Sequence, residues 1–491
     1  MTRSMFAAGV LGAVALAAMS ANAGAEFYND VKIPMRDGVN LAGDVYLPTN
    51  RTGKVGCWLS FSPYQATKSD KPQGVGRAEE WGVAAVFVDC RGLCHSEGKF
   101  ETWESRLVDD ADDLLNWIAA QPWSNGRVVM TGGSYPGHTQ LCAMRSGNPA
   151  LVACAPGVIT FEPDTINFQN GVLVTHFMQG WHSGLAGKAS WQELTKHPTC
   201  DDWWKERTDR RNLAKSRARA FYQAGWYDLL GVRTFASFKE MPEGSVLRVG
   251  PWNHGVNTFD NAVVNYEKQG GLVTEDAEIE FLRSALEGRE SESRKWPGRI
   301  LLYVMGRNVW RYENEWPLAR TAWRDYDFTG GKARSFAHDP KNPVPSCGGR
   351  MLGGSGGQLD QRKIEERPDV ISYTGETLTE DLEVTGDVSA KLLVSSTAFC
   401  SDLAVKLVDV YPDGKALNIV DGICRANFRA GETKAVDFFM DITSYVFLKG
   451  HKIRIDVAGS NAPHFEVNPN PATITIHGGS KVVLPVIKTE R

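Results

Sequence analysis

The sequence has little excess charge and lacks a basic stretch. Its 54 Lys and Arg residues against 58 Asp and Glu residues leave a net charge of −4 over 491 residues. Proteins that bind nucleic acid need clustered positive charge to neutralise phosphates, and no segment here provides it. We therefore exclude nucleic acid as a main partner. The chain also contains no internal repeat and no low-complexity tract.

Long apolar runs are missing after the first 25 residues, so we expect no membrane association of the mature chain. At the N-terminus, Arg3 precedes an apolar run over residues 5–19 and two small-residue cleavage motifs, at residues 21–23 and 23–25. This order is typical of a secretory signal peptide. A membrane anchor is the alternative, but the run is short and no charge cluster follows it. We predict a signal peptide over residues 1–25 and a periplasmic or secreted protein.

A convincing metal-ligand pattern is also missing. Cys90 and Cys94 have a loose zinc-ligand spacing, but no second Cys/His pair follows at a useful distance. The four aspartates at 109, 110, 112 and 113 are better explained as the solvated face of a helix near its N-terminus. Nine cysteines leave at least one thiol unpaired within a chain, and we expect buried small residues with one or two disulfides. We predict neither a metal nor an organic cofactor.

Strand and helix patterns alternate over the first 295 residues. Apolar runs typical of strands buried on both faces are followed by segments with helical periodicity. The predicted strands are 55–61, 83–88, 127–131, 151–155, 220–225 and 245–249, and the predicted helices are 107–120, 135–145 and 275–286. Such alternation predicts a parallel sheet with helices on its faces.

A helical segment interrupts this alternation of strands and helices, and from residue 296 the sequence predicts mainly strands. Residues 160–217 are helical in character and contain four tryptophans, Trp181, Trp191, Trp203 and Trp204. Their rings suit either an aromatic ligand or a packed core. From residue 296 onward, short strands and turns predict a β-sandwich or jelly roll. The predicted domains are 1–25 signal peptide, 26–159 first part of an α/β core, 160–217 helical cap, 218–295 second part of the core, and 296–491 all-β C-terminal domain.

The segment Gly-Gly-Ser-Tyr-Pro-Gly at residues 132–137 carries the first chemical signal. It lies between a predicted buried strand and a predicted helix, which is the setting of a nucleophile elbow. Ser134 would be the nucleophile, and the helix N-terminus behind it offers N–H groups to an oxyanion. The glycine expected two residues after the serine stands one residue later, at Gly137. A plain glycine-rich turn therefore stays open as an alternative at this point.

Two further residues follow later strands in the order that this chemistry requires. Asp228 comes just after the strand at 220–225, and His254 follows the strand at 245–249. The order serine, acid, histidine along the chain is that of an α/β-hydrolase triad. The backbone N–H of Tyr135 is one oxyanion donor. The hydroxyl of Tyr64, in the loop after the strand at 55–61, is a candidate for the second.

These motifs resemble the CocE/NonD family of serine hydrolases, which includes cocaine esterases, X-Pro dipeptidyl-peptidases, α-amino-acid ester hydrolases and glutaryl-cephalosporin acylases. The resemblance rests on Ser-Pro-Tyr at 62–64, the elbow at 132–137, Gly-Trp-Tyr-Asp at 225–228, Gly-Pro-Trp-Asn-His at 250–254, and motifs as far as residue 414. The family elbow places its glycine three residues after the serine. The resemblance implies an α/β-hydrolase core with an inserted helical cap and a C-terminal jelly roll. It also implies that Tyr64 belongs to the oxyanion hole.

The resemblance implies the type of reaction more clearly than it implies the substrate. It implies a small-molecule ester or activated amide as the partner, and self-association into a homo-oligomer is compatible with the sequence. The α-amino-acid ester hydrolases carry carboxylates shortly after the triad aspartate, whereas Leu229, Leu230 and Gly231 stand here. Carboxylates of the cap could substitute, namely Glu162, Asp164, Asp201 or Asp202. A dipeptidyl-peptidase with the same triad is the second hypothesis, and a non-catalytic jelly-roll binding protein is the third.

Overall fold

The computed structural model of the chain describes residues 26–64, 66–67, 75–207, 213, 216–231, 233–255, 276–352 and 356–488. The predicted signal peptide lies outside the described residues, as do short parts of the predicted cap. None of the helices in the described part of the chain has the length and hydropathy that crossing a membrane requires.

Strands and helices alternate in the described part of residues 26–313. The strands are β1 (Glu26–Pro34), β2 (Asn40–Leu47), β3 (Val55–Ser62), β4 (Ala84–Asp89), β5 (Ser124–Gly133), β6 (Leu151–Gly157), β7 (Phe168–Gln169), β8 (Val172–Leu173), β9 (Arg219–Gly225), β10 (Val246–Gly250), β11 (Ile300–Val304) and β12 (Val309–Glu313). The helices are α1 (Val75–Trp81), α2 (Arg106–Ala120), α3 (Tyr135–Ser146), α4 (Pro163–Asn167), α5 (Met178–Ala186), α6 (Lys188–Leu194), α7 (Asp202–Arg207), α8 (Thr234–Lys239) and α9 (Asp276–Glu287), with a 3₁₀ turn at Glu292–Lys295. Each strand and helix predicted in this half is present, with ends shifted by a few residues.

Ten of these strands form one sheet in the order β1-β2-β4-β3-β5-β6-β9-β10-β11-β12. The strands from β4 through β11 run parallel to their neighbours, while β1, β2 and β12 are antiparallel edge strands. Successive side chains of β5 pack on opposite faces of this sheet. Val128 packs with the helices of one face, and Val129 packs on the other face with Leu282 and Leu286 of α9. Burial on both faces explains why these strands are apolar throughout.

The parallel strands bring three loops to one edge of this sheet. β5, β9 and β10 all point the same way, and their carboxyl ends lead into the segments that contain Ser134, Asp228 and His254. In open α/β sheets this edge is where ligands bind. The sheet therefore collects the three predicted residues, although 120 positions separate the first from the last.

The cap covers this edge between β6 and β9. It holds α4 to α7 and a small hairpin of β7 and β8, so it is mainly helical. Trp204 is fully buried and Trp191 is 7 % exposed, which makes both of them core residues of the cap. The cap also contacts the C-terminal domain. The side-chain amide of Asn170 donates a hydrogen bond to the carbonyl of Ile423 over 2.9 Å.

The C-terminal domain is built from antiparallel strands. They are β13 (Thr321–Asp327), β14 (Arg334–His338), β15 (Val370–Thr377), β16 (Leu382–Ser396), β17 (Cys400–Val410), β18 (Ala416–Asn427), β19 (Lys434–Phe447), β20 (Lys452–Ala458), β21 (Ala472–Ile476) and β22 (Lys481–Ile487), with one short helix, α10 (Arg362–Glu365). One sheet has the order β13-β22-β16-β21-β14, with β19 paired to β16, and the other has the order β15-β20-β17-β18. The predicted all-β architecture is thus present.

Two strands that follow residue 296, where we predicted the start of the C-terminal domain, belong to the first sheet. β11 pairs in parallel with β10, and β12 pairs with β11, so both strands complete the first sheet. Their sequences are as strand-like as those that follow, which is why the change of character placed them in the β domain. The hydrogen-bonded core sheet therefore extends to Glu313.

The expected disulfides are not formed: all nine cysteines lie among the described residues, and no pair is bridged. Cys57, Cys142 and Cys154 are buried in the layers around the sheet, where burial raises the pKa of each thiol. These residues fill space as small apolar side chains. The prediction of one or two disulfides is wrong, because a cysteine count carries no information about which side chains meet.

Candidate active site

Ser134 occupies a strained turn between β5 and α3. Its backbone has φ 62° and ψ −134°, a region that a residue with a Cβ rarely adopts. The turn is held in place because the Ser134 N–H donates to the carbonyl of Gly157 over 2.9 Å. The Ser134 carbonyl in turn accepts from the N–H groups of Gly137 and His138, at 2.9 and 3.1 Å. This is the backbone geometry of a nucleophile elbow.

The structure explains why the elbow places a glycine three residues after the serine. A Cβ at Gly137 would lie 2.8 Å from Cγ2 of Ile159 and 3.0 Å from the carbonyl oxygen of Gly157. α3 could not then pack against the segment after β6. Gly132, at φ 137°, has a backbone that favours glycine, and a Cβ there would lie 2.7 Å from Cβ of Pro136. Positions 132 and 137 of the elbow therefore leave no room for a side chain.

Asp228 and His254 meet across the loops that follow β9 and β10. Nδ1 of His254 donates to Oδ1 of Asp228 over 2.7 Å, and Asp228 is fully buried. The two loops are tied together by backbone bonds from Trp226 to Gly250 and from Tyr227 to Trp252. Since the carboxylate occupies Nδ1, the other ring nitrogen, Nε2, is left to face a substrate or a nucleophile.

Ser134 and His254 are not hydrogen-bonded to each other in this structure, although both are among the described residues. The structure joins the predicted residues in two pairs, Asp228 with His254 and Tyr64 with Ser134. Both pairs stand at the same edge of the sheet. Hydrogen bonds between catalytic groups are often long in ligand-free enzymes and tighten when substrate binds.

Tyr64 stands over the nucleophile. Its hydroxyl oxygen lies 3.5 Å from Oγ of Ser134 and 3.0 Å from the indole Nε1 of Trp181. Burial raises the pKa of Tyr64, and its hydrogen bonds to Ser134 and Trp181 partly oppose that rise. The phenol therefore stays protonated at neutral pH and can donate. The Tyr64 hydroxyl thus lies beside Ser134, and Tyr135 is the residue that directly follows Ser134 at the start of α3.

Tyr135 contributes to the site through its backbone, because its side chain is buried elsewhere. The ring is 1 % exposed and packs against Trp103, with ring centroids 5.2 Å apart. Its hydroxyl accepts a hydrogen bond from the Trp103 backbone N–H over 3.2 Å. The side chain thus stabilises the start of α3, where the Tyr135 N–H is presented.

Two residues have contacts at the site that the sequence did not predict, although Trp181 was one of the four cap tryptophans considered for a ligand or a core. The indole Nε1–H of Trp181, on α5 of the cap, donates to the Tyr64 hydroxyl over 3.0 Å. Nη1 of Arg350, from the C-terminal domain, donates to the main-chain carbonyl of Asp228 over 2.7 Å. Both contacts join positions more than 100 residues apart, so no local pattern could indicate them.

Three of the four cap carboxylates considered as an anchor for a substrate ammonium group are paired with neighbouring side chains. Glu162 lies 3.8 Å from Arg233, Asp201 binds His197 at 2.5 Å, and Asp202 binds Lys205 at 2.8 Å. For the fourth, Asp164, burial raises the pKa of the carboxyl. None of these contacts involves Ser134, Asp228 or His254.

The described residues hold no group of three or more His, Cys, Asp or Glu side chains that could bind a metal ion. The acidic face of α2 is instead neutralised by Arg36, whose guanidinium contacts Asp109, Asp112 and Asp113 at 2.5–3.1 Å. The described residues at the sheet edge are the Ser134 hydroxyl with Tyr64 beside it and the His254 imidazole held by the Asp228 carboxylate.

Comparison with known proteins agrees with this architecture. The model of the X-Pro dipeptidyl-peptidase (S15 family) matches residues 37–193 and 183–256, and that of the X-Pro dipeptidyl-peptidase C-terminal non-catalytic domain matches residues 295–488. Cocaine esterase of Rhodococcus sp. (strain MB1 Bresler) is 33 % identical over 94 % of this chain and 98 % of its own.

Solved structures share the whole fold. An aminopeptidase from a marine sediment Thaumarchaeota archaeon superposes with a TM-score of 0.80 at 21 % identity, covering 94 % of this chain and 97 % of that one. An α-amino-acid ester hydrolase superposes with a TM-score of 0.78 at 22 % identity, covering 98 % and 100 %. The predicted fold class, an α/β-hydrolase with a strand-rich C-terminal domain, is confirmed.

Proposed function

This chain belongs to the CocE/NonD family of cocaine esterases and X-Pro dipeptidyl-peptidases and is therefore a serine hydrolase that acts on esters, and on that premise we propose that it cleaves carboxylic esters or activated amides through an acyl-enzyme intermediate on Ser134. The observation that carries the proposal is the 2.7 Å hydrogen bond between His254 and the buried Asp228 at the sheet edge where Ser134 sits in its strained turn.

The first step is acylation. Nε2 of His254 takes the proton from Ser134 as its Oγ attacks the carbonyl carbon of the substrate. Asp228 holds the imidazole in this tautomer and stabilises the imidazolium that forms. The proton then passes to the leaving alcohol or amine, and the acyl group stays on Ser134.

The carbonyl oxygen becomes an oxyanion during this step. We expect two donors for it, the Tyr135 N–H directly after Ser134 and the Tyr64 O–H, whose oxygen lies 3.5 Å from Oγ of Ser134. Donors of this kind are already in place before the reaction, so they stabilise the developing charge without reorganisation. Deacylation repeats the chemistry with water activated by His254, which releases the acid and restores Ser134.

A dipeptidyl-peptidase is the second candidate, since one family model that matches the chain describes X-Pro dipeptidyl-peptidases. Such an enzyme has to bind the N-terminal ammonium of a peptide, for which buried or aligned carboxylates are suited. The cap carboxylates Glu162 and Asp202 are instead paired with Arg233 and Lys205, and Asp201 is bound to His197. This pairing favours esters without an α-amino group.

A substrate panel on the protein tests the two candidates against each other. p-Nitrophenyl acetate, butyrate and benzoate are compared with Ala-Pro-p-nitroanilide at equal concentration, and Ser134→Ala is the blank. We expect saturable turnover of at least one ester and none of the anilide. Turnover of the anilide above that of every ester would support the peptidase instead, and wild-type rates in Ser134→Ala would contradict both.

We also propose that the protein is exported, on the basis of the N-terminal Arg3, the apolar run over residues 5–19 and the cleavage motifs at residues 21–25. Cell fractionation followed by N-terminal sequencing tests this proposal. Export predicts a mature N-terminus near Gly24 or Glu26 in the periplasmic or secreted fraction. Recovery of the protein with Met1 intact in the cytoplasm would contradict it.

A further inference from the structure

Trp181 of the cap is hydrogen-bonded to the tyrosine that stands over the nucleophile. Its indole Nε1 lies 3.0 Å from the Tyr64 hydroxyl oxygen, a contact that joins α5 to the loop after β3. The indole ring also packs near Tyr135 and Trp103, with centroids 5.8 and 5.7 Å apart. The contact is thus part of an ordered aromatic group at the site.

The chemistry of the two groups fixes the direction of this hydrogen bond. An indole N–H can only donate, whereas a phenol hydroxyl has one proton to donate and lone pairs that accept. Tyr64 must therefore be the acceptor from Trp181. With one lone pair used by the indole N–H, the Tyr64 hydroxyl keeps its own proton available to donate toward a second partner.

Among the described residues, the acceptor that this proton can reach is Oγ of Ser134. Oγ of Ser134 lies 3.5 Å from the Tyr64 oxygen, a long distance for an O–H···O hydrogen bond. The O–H is therefore directed toward the reacting centre but is only weakly bonded there. An oxyanion that forms beside Ser134 would be a much stronger acceptor for it.

We propose that Trp181 is a positioning residue that directs the Tyr64 hydroxyl proton at the oxyanion and strengthens it as a donor. The proposal rests on the assignment of Tyr64 to the oxyanion hole. When Tyr64 donates to the oxyanion, negative charge grows on the phenol oxygen, and the Trp181 N–H bond to that oxygen becomes stronger. Hydrogen bonds in such a chain polarise one another.

Because this bond gains strength only as the oxyanion forms, its contribution belongs to the transition state. Interactions of that kind raise kcat and leave substrate binding nearly unchanged. The cap would then take part in catalysis through Trp181. The α5 helix would do more than line the site, since it supplies a donor on which the rate depends.

The first test is Trp181→Phe, which keeps an aromatic ring and removes the N–H. We expect kcat for a p-nitrophenyl ester to fall about 10- to 100-fold, with KM changed less than about threefold. Trp191→Phe is the matched control, because Trp191 is a buried cap tryptophan whose ring packs on His182. The control should retain kcat within about twofold. A Trp181→Phe enzyme with wild-type kcat would overturn the proposal.

A double-mutant cycle separates positioning from packing. In a Tyr64→Phe background the phenol oxygen is gone, so removing the Trp181 N–H should change kcat less than about twofold. A loss as large as in the wild-type background would show that Trp181 acts through packing, and the proposal would be wrong. This outcome differs from failure of the proposed function, which would appear as retained activity in Ser134→Ala.

A second variant removes only the N–H. Incorporation of benzothienylalanine at position 181 replaces the indole nitrogen by sulfur in a ring of nearly the same shape, so folding is preserved. We expect the loss of kcat seen in Trp181→Phe, together with an equal loss of affinity for a trifluoromethyl ketone that forms an oxyanion on Ser134. Wild-type affinity for that ketone would contradict the proposed role.

Discussion

Arg350 of the C-terminal domain holds the backbone of Asp228, because its Nη1 donates to the Asp228 carbonyl over 2.7 Å. The rest of the guanidinium forms a buried ion pair with Asp441 of β19, including a 2.6 Å contact from Nη2 to Oδ1. A Cβ at Gly231 would lie 3.1 Å from Nη1 of Arg350, so the absence of a side chain there leaves room for the contact. The β domain therefore braces the loop that carries the proposed triad acid.

Arg350→Met should lower kcat about 10- to 100-fold, because a small displacement of the Asp228 loop misaligns His254. Steady-state kinetics with a p-nitrophenyl ester measures the effect. Arg425→Met is the control, since Arg425 forms an ion pair with Asp402 in the same domain without touching the site. If the two variants lost activity equally, the effect of Arg350 would be one of domain stability alone.

Asp228→Asn should lower kcat by about 10⁴, because an amide that donates to Nδ1 of His254 favours the wrong imidazole tautomer. The side chains have nearly the same shape, so the fold should be kept. Asp109→Asn on the exposed face of α2 serves as the control and should be fully active. Loss of less than about tenfold in Asp228→Asn would assign the triad acid to another residue.

Tyr64→Phe should lower kcat about 10²- to 10³-fold, the usual effect of removing one oxyanion donor. Both kcat and kcat/KM should fall together, since the lost bond forms only in the transition state. Pre-steady-state acylation with a p-nitrophenyl ester reports the step directly. An unchanged acylation rate would remove Tyr64 from the oxyanion hole.

Three buried histidines predict a loss of stability in acid. Burial lowers the pKa of His182 to about 4 and those of His138 and His464 to about 3, from an ordinary value of 6.5. In the unfolded chain these rings take up protons near pH 6.5, but in the folded chain they resist protonation. Their contribution to stability is therefore complete above about pH 6.5 and is lost as the pH falls toward 4.

The expected size is about 2 kcal/mol per histidine at pH 5, because each pKa unit corresponds to about 1.4 kcal/mol. Thermal unfolding at pH 8 and pH 5 should show a larger fall in Tm for the wild type than for His182→Gln. His95→Gln, at an exposed position, should behave as the wild type. A His182→Gln variant with the wild-type fall in Tm would contradict this source of acid sensitivity.

Much of the fold was predictable because hydrophobic patterns are local. The buried strands β3 to β6 and the helices α2 and α3 follow directly from apolar runs and helical periodicity. β16 was less clear, since its sequence reads as two strands, at 383–388 and 391–395. A bulge between Val388 and Ser389 breaks the regular alternation inside one continuous strand.

The site could be predicted in part. Chain order and strand ends identify Ser134, Asp228 and His254, because parallel strands deliver their loops to one edge. The contacts of Trp181 with Tyr64 and of Arg350 with Asp228 could not be predicted in the same way. They depend on how the cap and the β domain pack on the core, and no short-range pattern records that packing.

The proposed mechanism requires that Ser134 becomes acylated during turnover. Rapid quenching of the enzyme with p-nitrophenyl benzoate, followed by peptide mass spectrometry, measures this directly. We predict a benzoyl adduct on the peptide that contains Ser134, formed in step with a burst of p-nitrophenol and absent from Ser134→Ala. An adduct on any other residue, or the same adduct in Ser134→Ala, would contradict it.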